Sequence, residues 1–258
     1  MDFTPFVKAP KDKHRLPLIR RKYYNLIIRL VGWYNALIPP QSFVSSDLPA
    51  LDEIRRRSRR RSDISDHLET IFLETLSARP NLIVELGIGP GESTFVFERV
   101  ARLCGSKLIS VDLADKAATA TSWPAWNFVQ ADDIEFSGRF KEWARGKSID
   151  PSIDVLFIDT SHQFEHTVQE IEHWFPFLSE TAKVFFHDTN TGPIYRRKDG
   201  SIGLSYDISR GVIRALERYF DSKFNEKKDF VDIRRNWIIK HFANCNGLTL
   251  LERINTIR

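Results

Sequence analysis

Leu82-Ile83-Val84-Glu85-Leu86-Gly87-Ile88-Gly89-Pro90-Gly91 decides the fold. An apolar run of strand length enters a turn containing Gly87, Gly89 and Gly91, and the chain leaves it in the helix-forming run 92–102. Glycine has no Cβ, so a glycine turn at a strand–helix joint lets a nucleotide-like ligand come close to the backbone. On its own the turn also suits an ordinary strand–turn–helix corner.

The next strand narrows the meaning of the turn. The apolar run Lys107-Leu108-Ile109-Ser110-Val111 ends on Asp112. An acid roughly 20 residues past such a turn, at the end of the second strand, is placed to accept hydrogen bonds from ribose hydroxyls. Dinucleotides and S-adenosylmethionine are both held this way. A pyrophosphate needs open amides at the helix N-terminus and no carboxylate beside them. Here Glu85 stands just before the first glycine, and the spacing Glu-x-Gly-x-Gly-x-Gly departs from Gly-x-Gly-x-x-Gly. A carboxylate suits a cationic amino-acid ligand, so adenosylmethionine is favoured over NAD.

Outward from the turn, strand and helix alternate. Strands are expected at 82–86, 107–112, 126–130, 153–158 and 182–187, and helices at 66–78, 92–103, 135–145 and 163–175, with a short Ala/Thr helix after 112. A long loop, a helix at 205–221 and two late strands near 236–242 and 247–252 complete the chain. The pattern requires an α/β fold: a Rossmann-like, doubly wound, mostly parallel seven-stranded sheet with helices on both faces. Ligands of such sheets bind at the carboxyl ends of the strands, which places Glu85, Asp112, Asp132, Asp159 and Asp188 along one rim.

Two of those strand ends carry a second constellation. Ile153–Ile158 finishes in Asp159-Thr160-Ser161-His162, and Lys183–Phe186 finishes in His187-Asp188-Thr189-Asn190. Neighbouring strand ends lie about 5 Å apart, so Asp159 and Asp188 can reach one ion. Two carboxylates plus water are an ordinary Mg²⁺ set, and such a cation can orient a substrate hydroxyl and lower its pKa. His162 stands three residues beyond Asp159, where a neutral imidazole can take the hydroxyl proton. A helix-start histidine and a strand-end histidine, each making a local hydrogen bond, are the plain alternatives for His162 and His187.

Size and composition bound the rest. The chain has 258 residues, 42% hydrophobic and 28% charged, ordinary for a globular protein. Cys104 and Cys245 make neither a disulfide framework nor a zinc cluster, so a reducing, cytoplasmic setting is expected. There is no run of about 18 apolar residues to span a membrane. The net charge of +4 hides an asymmetry: residues 1–62 carry 14 Lys+Arg against 5 Asp+Glu, a net +9, and the remainder is net −5. The sheet-forming body is therefore acidic, and nucleic acid is not expected as its partner.

The basic excess defines a first region, 1–62, ahead of the α/β domain, 63–258. Residues 1–20 read as loosely ordered. Residues 22–38 read as a helix stopped by Pro39-Pro40, with apolar residues around most of its circumference. It must bury against the core, a second copy of the chain or a membrane surface. Arg55-Arg56-Arg57-Ser58-Arg59-Arg60-Arg61 is a dense arginine block, either a solvated face or an anion-binding one. Residues 22–61 thus leave open both a peripheral membrane contact and a homo-oligomer.

From about residue 62 to 252 the chain resembles class I S-adenosylmethionine-dependent methyltransferases. Within them it is similar to the cephalosporin-hydroxylase-like branch and the macrolide sugar O-methyltransferases. Ser62–Leu68, Glu85–Thr94, Ser110-Val111-Asp112, Asp159–His162, Phe186–Thr189, Gly211–Leu216 and Asn246–Leu251 carry the resemblance. It implies that Glu85, Gly87, Gly89, Gly91 and Ser93 belong to the cofactor site, lining the methionine end. It further implies that Asp112 holds the ribose, and that Asp132 or Asp133 meets the adenine amino group. Asp159 and Asp188 would hold a metal and His162 would act as base. The sugar enzymes have Glu where this chain has His187, and nitrogen is a poor Mg²⁺ ligand, so His187 implies a softer ion, a ring turned away or no metal.

The function expected is O-methylation of a sugar, glycan or natural-product hydroxyl. A non-catalytic binding protein on this fold and an NAD-dependent oxidoreductase are the alternatives. The 188–204 loop, with Arg196-Arg197-Lys198, is expected to cover the site and to suit an anionic acceptor.

Overall fold

The computed structural model describes residues 18–39, 42–205 and 209–254. The expectation of loose order for residues 1–20 falls mostly outside them. The described helices are α1 (Leu18–Ala36), α2 (Pro49–Ser58), α3 (Leu68–Ala78), α4 (Glu92–Cys104), α5 (Asp133–Gly146), α6 (Phe164–Trp174) and α7 (Gly211–Phe220). The strands are β1 (Leu82–Leu86), β2 (Lys107–Asp112), β3 (Trp126–Gln130), β4 (Ile153–Ile158), β5 (Leu178–His187), β6 (Ile194–Arg196), β7 (Ile202–Leu204), β8 (Phe230–Arg234), β9 (Trp237–Phe242) and β10 (Leu248–Arg253). The expected Ala/Thr helix is a single 3₁₀ stretch, Asp115–Thr119.

The main sheet runs β3-β2-β1-β4-β5-β10-β9-β8. The first five strands are parallel, and β10, β9 and β8 join antiparallel to one another and to β5. The sheet has eight strands, one more than the seven expected. The extra strand, β8, is an edge whose apolar residues Val231 and Ile233 face solvent at 71% and 61% exposure. An inward apolar alternation, the usual mark of a half-buried strand, is therefore missing. It joins β9 through Arg235-Asn236, with Arg235 at φ 53 and no glycine to announce the hairpin.

Side chains alternate across the central strands. Ile83, Phe157, Phe185 and Leu250 pack on α2, α3 and α4, against Ile54, Leu68, Phe72 and Phe97. Val84, Leu156, Val184 and Leu251 pack on the other face, with Phe136, Phe140, Trp174 and Leu216 of α5, α6 and α7. Because both faces are covered, these strands read as continuous apolar runs rather than alternating ones.

Helix α2 lies inside the basic region, yet Leu51 and Ile54 are core residues. The arginine block at its end is divided. Arg55 pairs with Glu69, Arg57 with Glu92 and Arg61 with Asp199, while Arg56, Arg59 and Arg60 are exposed. Helix α1 is moored near its end: the Asn35 amide donates to Ile202 O and accepts from Ile202 N, at 2.8 and 2.9 Å. Leu26, Leu30, Trp33 and Leu37 are more than half exposed. Among the described residues no helix is long and apolar enough to cross a membrane.

The 188–204 segment is not a plain loop. It contains the antiparallel ribbon β6–β7, bound to the segment before α3. Arg197 is 7% exposed and donates to Ser62 O, Arg61 O, Ile202 O and the Tyr195 hydroxyl. Its guanidinium is spent inside the protein, so it is not offered to an anionic acceptor.

Candidate active site

The β1 turn is held from three sides. Gly87 N donates to Val111 O at 2.9 Å, and Asp159 N donates to Leu86 O at 2.9 Å. Gly87 has φ +82, and a Cβ there would stand 2.0 Å from Asp159 O. No other residue type fits without moving the end of β4. The glycine turn and the Asp159 rim are therefore in direct backbone contact.

Asp112 ends β2 beside the turn. Its Oδ2 accepts from Ile88 N at 2.8 Å and Gly89 N at 3.3 Å, and its Oδ1 accepts from Ala114 N at 2.7 Å. Gly89 and Gly91 have φ +51 and +84; an added Cβ at Gly89 meets open space. Open space at Gly89 leaves the face beside Asp112 accessible to a ligand.

Glu85 is fully buried. Ser93 and Ser110 hydroxyls donate to it at 2.6 Å each, and Thr94 Oγ1 at 2.9 and 3.1 Å. Trp126 Nε1 donates to Ser110 Oγ, extending the chain of bonds to β3. Burial pushes the Glu85 carboxyl up to about 7, against the lowering effect of these hydroxyls. Glu85 and Ser93 thus bind each other beneath the turn. Asp132 caps α5, accepting from Ile134 N and Glu135 N at 3.0 Å. Asp133, the next residue, is buried and faces His166 at 3.0 Å.

The second constellation comes together at the ends of β4 and β5. His162 Nε2 lies 3.1 Å from Asp159 Oδ1 and 2.9 Å from Asp188 Oδ2. His187 Nδ1 lies 3.3 Å from Asp159 Oδ1 and 3.6 Å from Asp188 Oδ1. His162 and Asp188 have φ 57 and 55, a left-handed backbone that is strained for residues with a side chain. Gly211, at the start of α7, presses on the first of them: a Cβ there would stand 2.1 Å from His162 O. Although burial opposes it, the two carboxylates raise His162 to about 11 and His187 to about 10. His187 and His162 in turn hold Asp159 well below the usual carboxylate range, against the raising effect of burial.

The donor chemistry tests whether a cation fits. One atom each from Asp159, His162 and Asp188 lie within 4.8 Å of one another. Asp188 Oδ1 and His187 Nε2 are buried without a hydrogen-bond partner. Two carboxylates with imidazole suit a divalent ion, and imidazole favours Mn²⁺ or Zn²⁺ over Mg²⁺. The residues fit such an ion.

Asp63 and His67 also reach this cluster, from the segment leading into α3. The His67 and His187 rings meet edge-on at 6.1 Å between centroids. Burial and the neighbouring His187 keep His67 well below the usual histidine range. Asp63 is raised chiefly by burial, with His187, Asp159 and Asp188 as its charged neighbours. The sequence offered no role for either, because the contacts cross about 100 residues of chain. His166 and Glu170 were missed as well, although their i, i+4 spacing on one helix was a readable signal.

A parallel sheet of order 3-2-1-4-5 extended by the antiparallel β10, with a glycine turn after β1 and an acid after β2, matches the Rossmann-like fold of methyltransferases. Residues 84–189 match the family model described as a methyltransferase domain. That matched segment runs from β1 past the end of β5 and holds the glycine turn, Asp112 and the Asp159/Asp188 rim. Three solved structures are similar in fold. MycE, a methyltransferase from the mycinamycin biosynthetic pathway described in complex with Mg, SAH and mycinamycin VI, is 16% identical, with a TM-score of 0.53. The alignment covers 83% of this chain and 56% of MycE, little more than half of that protein. Cofactor-bound Rv0187 from MTB is 16% identical, with a TM-score of 0.52, covering 83% of this chain and 94% of that one. A methyltransferase from Geobacter sulfurreducens is 14% identical, with a TM-score of 0.50, covering 88% and 97%. No curated protein sequence matches.

Proposed function

We propose that this chain is an O-methyltransferase that moves the methyl group of S-adenosylmethionine to a hydroxyl of a sugar, glycan or natural-product acceptor. The observation that carries this reading is the backbone contact between the glycine turn and Asp159, which puts the His162/Asp188 cluster immediately beside the expected cofactor site. In this reading the turn from Gly87 to Gly91 cradles the methionine end, and Glu85 with Ser93 fixes the turn from beneath. Asp112 exchanges its turn amides for ribose hydroxyls, and the Asp132–Asp133 corner borders the adenine.

The acceptor hydroxyl lies against Asp159, His162 and Asp188. Its oxygen attacks the methyl carbon in line, the carbon–sulfur bond breaks, and S-adenosylhomocysteine leaves with the electron pair. Holding the two reactants in line is the main contribution. His162 Nε2 would take the hydroxyl proton once its pairing with Asp159 and Asp188, which otherwise keeps the ring protonated, is relieved. Asp159, Asp188 and His187 would hold a divalent ion, which when bound offsets the carboxylate charge and polarises the hydroxyl. In this reading His187 faces the cluster through Nδ1 and takes the place of an acidic ligand.

The test is a pair of measurements on His162→Ala. Calorimetric binding of S-adenosylhomocysteine should be unchanged, while methyl transfer to a panel of sugar acceptors should fall by about 100-fold or more. Full activity in the variant removes His162 from the mechanism. Failure of the parent protein to bind S-adenosylhomocysteine at millimolar concentration removes the cofactor assignment.

The exposed apolar side of α1 supports a peripheral contact for residues 22–61. Leu26, Leu30, Trp33 and Leu37 share α1 and its end with the exposed Arg29, and the exposed Arg56, Arg59 and Arg60 follow later in the same basic region. Apolar side chains flanked by arginine suit an anionic lipid surface.

A further inference from the structure

The ends of β3 and β4 carry a third group of ionisable side chains, separate from those assigned above to acceptor and cation. His166 and Glu170 lie one turn apart on α6, on the same face of the helix. Asp133 approaches them from the first turn of α5. His166 Nε2 is 3.0 Å from Asp133 Oδ1 and 3.7 Å from Glu170 Oε1. One atom from each of the three residues lies within 4.8 Å of the others.

The group is buried without being satisfied. The Glu170 side chain has no solvent exposure and that of Asp133 has 9%. Thr160 Oγ1 donates to Glu170 Oε1 at 2.5 Å, and His166 serves Asp133 Oδ1. The other oxygen of each carboxylate, Asp133 Oδ2 and Glu170 Oε2, is buried with no hydrogen-bond partner. No lysine or arginine among the described residues pairs with either acid. Two buried carboxylates in contact require a neutralising partner, because burying an uncompensated charge is strongly unfavourable. His166 brings at most one positive charge for two acids.

We propose that Asp133, His166 and Glu170 form a second divalent-cation site, distinct from the Asp159/Asp188 rim, that takes a transition-metal ion of the Zn²⁺ or Mn²⁺ kind. Ligands on an ion at about 2.1 Å stand about 3 Å apart when adjacent and about 4 Å apart when opposite. The 3.0 and 3.7 Å separations fall in that interval. Two carboxylates and one imidazole match zinc and manganese better than magnesium, which prefers oxygen and retained water. The Thr160 hydroxyl orients Glu170 as an outer partner does in metal sites. His166 is 23% exposed, so the ion enters from its side. The ion ties the start of α5 to α6 and, through Thr160, to the end of β4.

The probe is Zn²⁺ or Mn²⁺ alone, titrated by calorimetry into full-length protein previously treated with chelator. The background is the rim variant Asp159→Asn/Asp188→Asn, which disables the first cation position. The expected result is uptake of about one equivalent with a raised Tm, both lost or weakened at least tenfold when His166→Ala or Glu170→Gln is added. No uptake at millimolar metal overturns the site, and Asp133 and Glu170 are then a pair sharing one proton. Uptake unchanged by His166→Ala and Glu170→Gln also overturns it. Should the rim variant not fold, the same titration of the parent protein against Glu170→Gln serves. Loss of about one equivalent supports the site, and identical stoichiometry overturns it.

Discussion

Gly211 leaves room for His162: a Cβ at Gly211 would stand 2.1 Å from the His162 carbonyl oxygen and 2.8 Å from Phe164 N. The N-terminus of α7 thus rests on the backbone that carries the proposed base. That backbone is already in the left-handed region, at φ 57. Gly211→Ala should push it away. The expected outcome is a loss of about 1–3 kcal/mol in stability by chemical denaturation, as for overpacking. Methyl transfer should fall further than S-adenosylhomocysteine affinity, because the displaced residue belongs to the acceptor side. An alanine variant with parental stability and activity refutes the contact.

Asp112 accepts three backbone amides around the glycine turn. Asp112→Asn removes its charge and turns one oxygen into a donor that cannot serve these amides. Cofactor affinity should weaken about tenfold or more, the scale of one lost charge-assisted hydrogen bond. Equilibrium binding of S-adenosylhomocysteine measures it. Acceptor KM should change little, because Asp112 lies on the cofactor side of the turn.

Glu85 makes stability depend on pH in a calculable direction. Its folded pKa is about 7, above the unfolded value of 4.5, so the folded chain holds the proton more tightly. The stability linked to that proton is complete below pH 4.5 and is lost as pH rises through about 7. The size is on the order of 3 kcal/mol between those limits. Glu85→Gln keeps the shape and carries no charge. Urea unfolding at pH 5 and pH 8 should show a smaller decline for the variant than for the parent, and equal declines would show that another group is responsible.

Helix α1 gives a prediction about surfaces. The parent protein should co-sediment with vesicles rich in anionic phosphatidylglycerol and not with neutral phosphatidylcholine vesicles. Trp33→Ser/Leu37→Ser should reduce that binding, with Tm unchanged because both side chains are more than 60% exposed. Should the helix cover a second copy instead, the parent elutes as a dimer, the double variant as a monomer, and vesicles make no difference.

The parts of the fold legible in the sequence were those whose signal is local. Strand β1, the glycine turn and Asp112 could be placed because an apolar run, a glycine pattern and a terminal acid come one after another along the chain. Strand β8 was hidden because Val231 and Ile233 point to solvent. Helix α2 was hidden because the arginines draw attention from the single i, i+3 pair Leu51 and Ile54 that buries it. The ribbon β6–β7 has only three residues in each strand and is held by partners far along the chain, such as Asn35 and Ser62. The gathering of Asp159, His162 and Asp188 came from parallel-sheet topology, whereas the approach of Asp63 and His67 depends on where the preceding segment happens to pack.

Arg197 fastens the ribbon to the carbonyls of Arg61 and Ser62, and Asn35 grips the ribbon from α1. A shortened protein made by removing the basic region at the boundary the charge pattern suggests would cut through this mooring. It would also strip Leu51 and Ile54 from the α2–α4 layer, baring Phe72 and Phe97. Anyone engineering a minimal version should therefore keep the arginine-rich stretch as scaffolding and trim, if at all, ahead of α2.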